Sequence, residues 1–281
     1  MTENNNLERV HQADLKILRE VDRICWKYQI RYMLDSGTLL GAIRHHGFIP
    51  WDDDADLSFT RDQYEAFAKV AKKELPAGMK LLEPDQMRGG EAFFDFVPRI
   101  LYLDSQTHED GPEMQFYEGK LNHLYVDLFI QDDLPDSPFG QTLVKGLNTL
   151  VYGLAMGHRY QVDLSRYQGL SRPVVQILAG LGSHLPMRLI RRLQGSVSRM
   201  ANGRGYHHRF YSNYAPDYYY MTIEKGWNAE TVPVDFEGET FQAPKNWDRI
   251  LTLTYGDYMT PPPSEKQVPT HSSMEIRVTR L

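Results

Sequence analysis

Four acids fall within five positions of the stretch WDDDADLSF, at Asp52, Asp53, Asp54 and Asp56, and the run passes straight into an apolar, strand-like segment. Carboxylates this close repel one another, so a folded chain keeps them together where cations or solvent offset the charge. Alternation puts Asp54, Asp56 and Ser58 on one face of a half-buried strand and Ala55, Leu57 and Phe59 on the other. At a rise of about 3.3 Å per residue the Asp54 and Asp56 Cα atoms stand roughly 6 to 7 Å apart, close enough to share a hard cation. A further acid, Asp127, interrupts the apolar run LYVDLFI, where a charge is costly unless it is paired, hydrogen-bonded or bound to a metal. Two or three aspartates with substrate phosphates make a reasonable Mg2+ shell, and such an ion neutralises charge on a transferring phosphoryl group. The plain alternative is a solvated acidic loop.

Several elements must position these residues. Leu15, Leu18, Val21, Cys25 and Tyr28 recur at helical spacing and predict an amphipathic helix over about residues 7 to 28. IRYMLDSG reads as a strand ending in a turn, and TLLGAIRHHG as a helix that starts directly after Gly37, with its first N–H groups aimed at any anion in the turn. Arg44 in that helix is either a phosphate fork or a surface cation. Thr60 and Gln63 form a capping-box pattern before a helix that runs to about Glu74. MKLLE, FFDFVPRILYL and LYVDLFI read as strands, and QDDLPDSPFG as a turn-rich boundary. Helix-like segments follow, and from Leu164 to Pro216 there are eight Arg and no Asp or Glu.

The 281-residue chain has a net charge of −6 and lacks the basic footprint of a protein that grips nucleic acid, so a nucleic-acid partner is not expected. One cysteine, Cys25, excludes a disulfide framework or a multi-cysteine metal site and fits a reducing compartment. The first 25 residues hold no apolar leader, and no window reaches the roughly 20 apolar residues that span a bilayer. The expected location is cytoplasmic.

The run LDSGTLLGAIRHHGFIPWDDDADLSF resembles the signature of the LicD family of phosphocholine transferases, relatives of fukutin and the fukutin-related protein. YVDLFI is similar to the family's second acidic strand, and FEGETFQAPKNWDRILTLTYGDYMTPPP with His271 resembles its C-terminal stretch. Residues 10 to 60, 122 to 131 and 234 to 271 are covered. The resemblance implies an α+β, nucleotidyltransferase-like fold of the DNA polymerase β superfamily, a mixed sheet flanked by helices with a helical insertion. In that reading residues 1–135 are the catalytic core, 136–230 a helical, basic insertion or lid, and 231–281 a segment packing back on the core.

The same resemblance implies metal-dependent transfer of phosphocholine from CDP-choline to a hydroxyl of a cell-surface glycan or its lipid-linked precursor, as in lipopolysaccharide or teichoic acid, with CMP released. By matched position Asp54 and Asp56 are the metal pair, Asp127 the third carboxylate, and Gly37 with Thr38 the phosphate-holding turn; Asp52 in the matched acidic run and His271 in the matched C-terminal stretch are further expected substrate contacts, beside Arg44 as read from its helix. Mg2+ is the expected ion, with Mn2+ as the alternative. Ser36 stands where the family often has glycine, and Ala55 where a branched aliphatic is usual. Other donors, CDP-ribitol, CDP-glycerol or a CMP-phosphonate, would suit the same metal site. A non-catalytic glycan-binding subunit, or a nucleotidyltransferase using ATP or CTP, are the rival classes. Aromatic faces bind choline's quaternary ammonium, and YAPDYYYMTIEKGW offers Tyr214, Tyr218, Tyr219, Tyr220 and Trp227. The basic sector reads either as a surface for anionic lipid at the inner face of the membrane or as a helical lid balancing acids elsewhere.

Overall fold

Val10, Ala13, Ile17, Leu18, Val21, Ile24 and Cys25 form the buried stripe of the first helix, α1 (Glu3–Tyr28). The stripe is rotated from the expected one, because Leu15 is only partly buried and Tyr28 is exposed. The structure, a computed structural model, describes residues 3–107, 111–269 and 277–281, so the candidate His271 lies outside the described residues. After α1 come β1 (Met33–Leu34), α2 (Ser36–His45), β2 (Ala55–Thr60), α3 (Arg61–Glu74), β3 (Met79–Leu82) and β4 (Arg99–Tyr102). Next are β5 (Ser105–Gln106), α4 (Pro112–Phe116) and β6 (Leu124–Leu134), then three helices, α5 (Pro138–Ala155), α6 (Ser171–Gly182) and α7 (Met187–Ser198). The chain closes with β7 (His208–Tyr211), β8 (Thr222–Glu224), α8 (Lys225–Asn228), β9 (Thr231–Phe236), β10 (Glu239–Pro244), α9 (Trp247–Tyr255) and β11 (Arg277–Val278).

A mixed sheet runs in the order β1-β2-β6-β4-β3, with β7 added to β6 and β8 to β7. β2 and β6 are parallel, and the other pairs are antiparallel. Parallel neighbours need a crossover, which α3, β3 and β4 supply. Leu57, Phe59, Val126, Leu128 and Ile130 share one core with the α1 stripe and with Phe67 of α3. The class is thus α+β, a mixed sheet flanked by helices, as expected.

Several local readings change. β2 is buried on both faces, its polar residues included, because it is an interior strand. β1 holds two residues, and only Arg99–Tyr102 of the run FFDFVPRILYL are strand. β6 continues through Leu134, where a turn was expected, because Gln131–Leu134 find a partner in β7. No capping box forms before α3: the Thr60 hydroxyl donates to Asp62 Oδ1 (2.5 Å), and Gln63 Oε1 accepts the Arg31 N–H (2.7 Å).

The β9–β10 hairpin turns at Glu237 and Gly238, both with positive φ (55° and 74°), the backbone a two-residue hairpin turn requires. It places Phe236 edge-on to Phe48, 4.8 Å between centroids, and so pins the loop that leads into the acidic run. A second apolar cluster, including Phe93, Phe96, Tyr152, Met187 and Ile190, ties the inserted helices to the segment before β4.

Candidate active site

Strand register, more than sequence proximity, assembles the site. Asp56 on β2 pairs with Asp127 on β6, and Asp127 pairs with Arg99 on β4, so three charges lie in a row across three adjacent strands. Arg99 Nε sits 2.8 Å from Asp127 Oδ1, while Nη1 and Nη2 donate to Asp95 Oδ1 and Oδ2 at 2.9 and 2.6 Å. This is how an acid survives inside an apolar strand. Burial works against the Arg99 charge, and Asp127 and Asp95 more than offset it.

The turn before α2 supports the carboxylates. Asp35, buried, caps α2 by accepting the Ser36 N–H (2.8 Å) and receives the Tyr211 hydroxyl at 2.8 Å. The helix therefore starts one residue before Gly37, and its N-terminus already faces a carboxylate of the chain, a correction to the open anion site expected there. Thr38 Oγ1 accepts the Asp56 N–H at 2.8 Å, and the Asp35 N–H donates to the Asp56 carbonyl at 3.1 Å. A Cβ on Gly37 would lie 2.4 Å from Asp52 Oδ2, so a larger residue there would make the Asp52 carboxylate shift from its place over α2. Arg44 is in the last turn of α2, donating to the Tyr258 carbonyl (2.8 Å) and to His45 Nε2 (2.9 Å).

The closest carboxylate group among the described residues is Asp52, Asp53 and Asp54, whose oxygens lie within 4.8 Å of one another. Asp56 stands beside this group: burial first, then Asp54, Asp127, Asp35 and Asp52, push its carboxyl well above the usual range. Asp52 is pushed up to about 8 by burial and then by Asp54 and Asp53. His11 holds the loop from α1, its Nε2 2.7 Å from the Asp52 carbonyl and its ring stacked on Phe48. The donor set is all oxygen and anionic, which fits Mg2+ or Mn2+ and not a soft metal.

Asp14, absent from the sequence reading, lies under the loop. It is 0% exposed, neither carboxylate oxygen has a hydrogen-bond partner among the described residues, and Asp54, Asp53 and Asp52 add to the burial that raises its pKa. A raised acid destabilises the fold increasingly as pH climbs above the unfolded value, by up to about 1.4 kcal/mol per pH unit. Asp14→Asn is therefore expected to raise the melting temperature in chelator at pH 8, with a smaller gain at pH 5, as calorimetry at the two pH values would read. A lower melting temperature at pH 8 would show that Asp14 is compensated.

One of the five expected aromatics, Tyr214, comes within electrostatic reach of the carboxylates. Tyr214 stacks on Tyr218 (4.0 Å) and packs on Phe129 (4.4 Å), and its phenol is pushed up by burial and then by Asp56. Tyr219 packs on Phe210, Trp227 takes Arg249 over its ring, and Tyr220 is exposed. Tyr255 at the end of α9 is a further neighbour; after burial, Asp56, Asp52, Asp35 and Asp54 all raise its pKa. A cavity of about 460 Å³ beside α3 is a separate feature, lined by none of these acids. Three of its five cations are in ion pairs, Arg61 with Asp132, Lys72 with Glu83 and Arg199 with Glu65, and Arg191 donates to the Gly90 carbonyl.

Residues 29–137, which hold Asp35, the acidic loop and Asp127, match the family described as the LicD/FKTN/FKRP nucleotidyltransferase domain. Over 269 residues, 92% of this chain and 92% of the relative, the sequence is 28% identical to the lipopolysaccharide cholinephosphotransferase LicD of Haemophilus influenzae. It is 33% identical over 119 residues to the ribitol 5-phosphate transferase FKRP of Homo sapiens and of Mus musculus, covering 41% of this chain and 20% of each relative.

Proposed function

From the LicD domain carried by residues 29–137, we propose that this chain transfers phosphocholine from CDP-choline to a hydroxyl of a cell-surface glycan or its lipid-linked precursor, at the cytoplasmic face of the membrane. The observation that carries the reading is the convergence of the acidic loop, Asp127 and the stacked Tyr214–Tyr218 pair. Asp54, Asp56 and Asp127 would hold a divalent ion, which would supply positive charge against the donor's pyrophosphate and the transferring phosphoryl group. Thr38 and Asp35 fix the Asp56 backbone, and Arg99 fixes the Asp127 carboxylate, so the ligands are oriented before the donor arrives. The outer face of Tyr218, whose inner face is stacked on Tyr214, receives the trimethylammonium group, with Asp56 and Asp127 adding negative charge beside Tyr214. The acceptor oxygen bonds to the choline-bearing phosphorus, the bond from that phosphorus to the CMP oxygen breaks, and the hydroxyl proton passes to a carboxylate of the cluster.

The similarity to FKRP supports a second donor, CDP-ribitol, at the same carboxylates. The aromatic pair separates the two. Tyr218→Ala is expected to raise KM for CDP-choline about tenfold with little change in kcat, since an aromatic face contributes about 1 to 2 kcal/mol to a bound cation. An unchanged KM in steady-state kinetics would remove the pair from the donor site. The direct test incubates the protein and Mg2+ with CDP-choline, CDP-ribitol or CDP-glycerol and a lipid-linked glycan fraction, and follows CMP release and label in the glycan. Label from CDP-choline alone supports the proposal; label from another donor transfers the assignment to it, and CMP release with none of the three rejects the enzyme reading.

A further inference from the structure

The inserted helices leave apolar side chains in ordered stripes on their outer faces. On α6 and its N-cap, Leu170, Val174, Ile177 and Leu181 follow one another at spacings of four, three and four, and are 50% to 85% exposed. On α5, Phe139, Leu143 and Leu150 lie opposite the buried face made by Val144, Asn148, Val151 and Ala155. The two helices form one unit. Leu178 covers Gly153, while Gly182 lies against the Leu154 backbone and Gly157 against the Ala179 carbonyl, two backbone contacts that exclude any larger side chain. α7 turns Arg188, Leu189, Arg192 and Leu193 to solvent together.

The same sector carries the chain's positive charge. From Ser137 to Pro216 there are ten Lys and Arg against the single Asp163, a surplus of nine in a chain of net charge −6. Some of this charge balances acids of the core, through Arg199 with Glu65 and Arg209 with Asp133. Arg172, Arg188, Arg192 and Arg204 are exposed and make no ion pair among the described residues. Among the described residues no helix is long and apolar enough to cross a membrane.

We propose that the α5–α7 sector docks on an anionic phospholipid surface, with the α5 and α6 stripes entering the headgroup and acyl boundary and the unpaired arginines meeting lipid phosphates. Exposed apolar stripes beside free cations are the composition of an interfacial element, and long arginine stems keep the charge at headgroup level. A second copy of this chain fits poorly, because self-association would bring two strongly positive sectors together. The inference is independent of the donor and metal chemistry.

Flotation with phosphatidylglycerol vesicles and with pure phosphatidylcholine vesicles, in chelator and without nucleotide, tests it. The wild type should float with the anionic vesicles, much less with the neutral ones, and less in raised salt. Ile177→Glu with Leu181→Glu, and separately Arg188→Glu with Arg192→Glu, should each lower the vesicle-bound partition coefficient by about tenfold or more, at about 1 kcal/mol per basic residue near the surface. These positions are exposed, so unchanged circular dichroism and melting are expected for both variants. Asp56→Asn should float like the wild type, which separates failure of the docking surface from failure of the transfer site. No flotation of the wild type, full flotation of either double variant, or a wild-type dimer in light scattering that Ile177→Glu with Leu181→Glu dissolves, would each overturn the proposal.

Discussion

Asp56→Asn is expected to fold and, without divalent cations, to melt no lower than the parent, yet to lose transfer activity by about three orders of magnitude. Asp56 is 8% exposed and faces Asp54, Asp127, Asp35 and Asp52, so ionising it in the metal-free protein is opposed from several sides. The amide keeps the shape, and the backbone bonds to Thr38 and Asp35 stay. On the proposed function, what the amide would remove is an anionic ligand at the point where charge develops, a loss of several kcal/mol, with each 1.36 kcal/mol worth about tenfold in rate. Melting curves in chelator together with initial rates in Mg2+ check both halves. A rate within about tenfold of the parent would make Asp56 a packing residue.

Arg99→Ala is expected to cost about 3 to 5 kcal/mol in urea unfolding, the usual consequence of leaving buried partners uncompensated. Here the guanidinium is 4% exposed and spans both oxygens of Asp95 and one of Asp127. Arg99→Lys should recover little, since a single ammonium cannot reproduce the fork. Adding Asp127→Asn to Arg99→Ala should restore part of the loss. A cost below about 1 kcal/mol would place Asp127 and Asp95 in contact with solvent or with each other's donors.

The sequence made the i, i+2 acids and Asp127, the acid that interrupts the apolar run of β6, visible because strand alternation is a local property, and the pairing of Asp56 with Asp127 across β2 and β6 follows the expected convergence of the two segments. Asp35 and Tyr255 were not legible as site residues, because their positions depend on register and on the return of the C-terminal segment; Arg99 stands near the acidic strands in sequence, ion pairing was its expected role, and it pairs with Asp95 and Asp127. Asp14 did leave a signal: with Val10, Ile17 and Val21 it keeps the four-three-four spacing of the α1 core, where an acid is anomalous. The stripe drawn through Leu15 and Tyr28 hid it. Thr60 and Gln63 have the residue types of a capping box, yet Asp62 two residues on took the Thr60 hydroxyl and a tertiary partner, the Arg31 N–H, took the Gln63 side chain. The long β6 likewise shows that turn composition at Gln131–Leu134 yields when a neighbouring strand satisfies the backbone.

The most direct measurement is isothermal titration of CDP-choline into wild-type protein and Asp56→Asn, each in Mg2+ and in chelator. Saturable binding by the wild type in Mg2+, lost in chelator and lost in Asp56→Asn, is the result expected of a carboxylate cluster that holds a divalent ion against the donor's pyrophosphate. Equal affinity in all four titrations would contradict it, leaving the acidic loop a structural feature and the donor bound elsewhere.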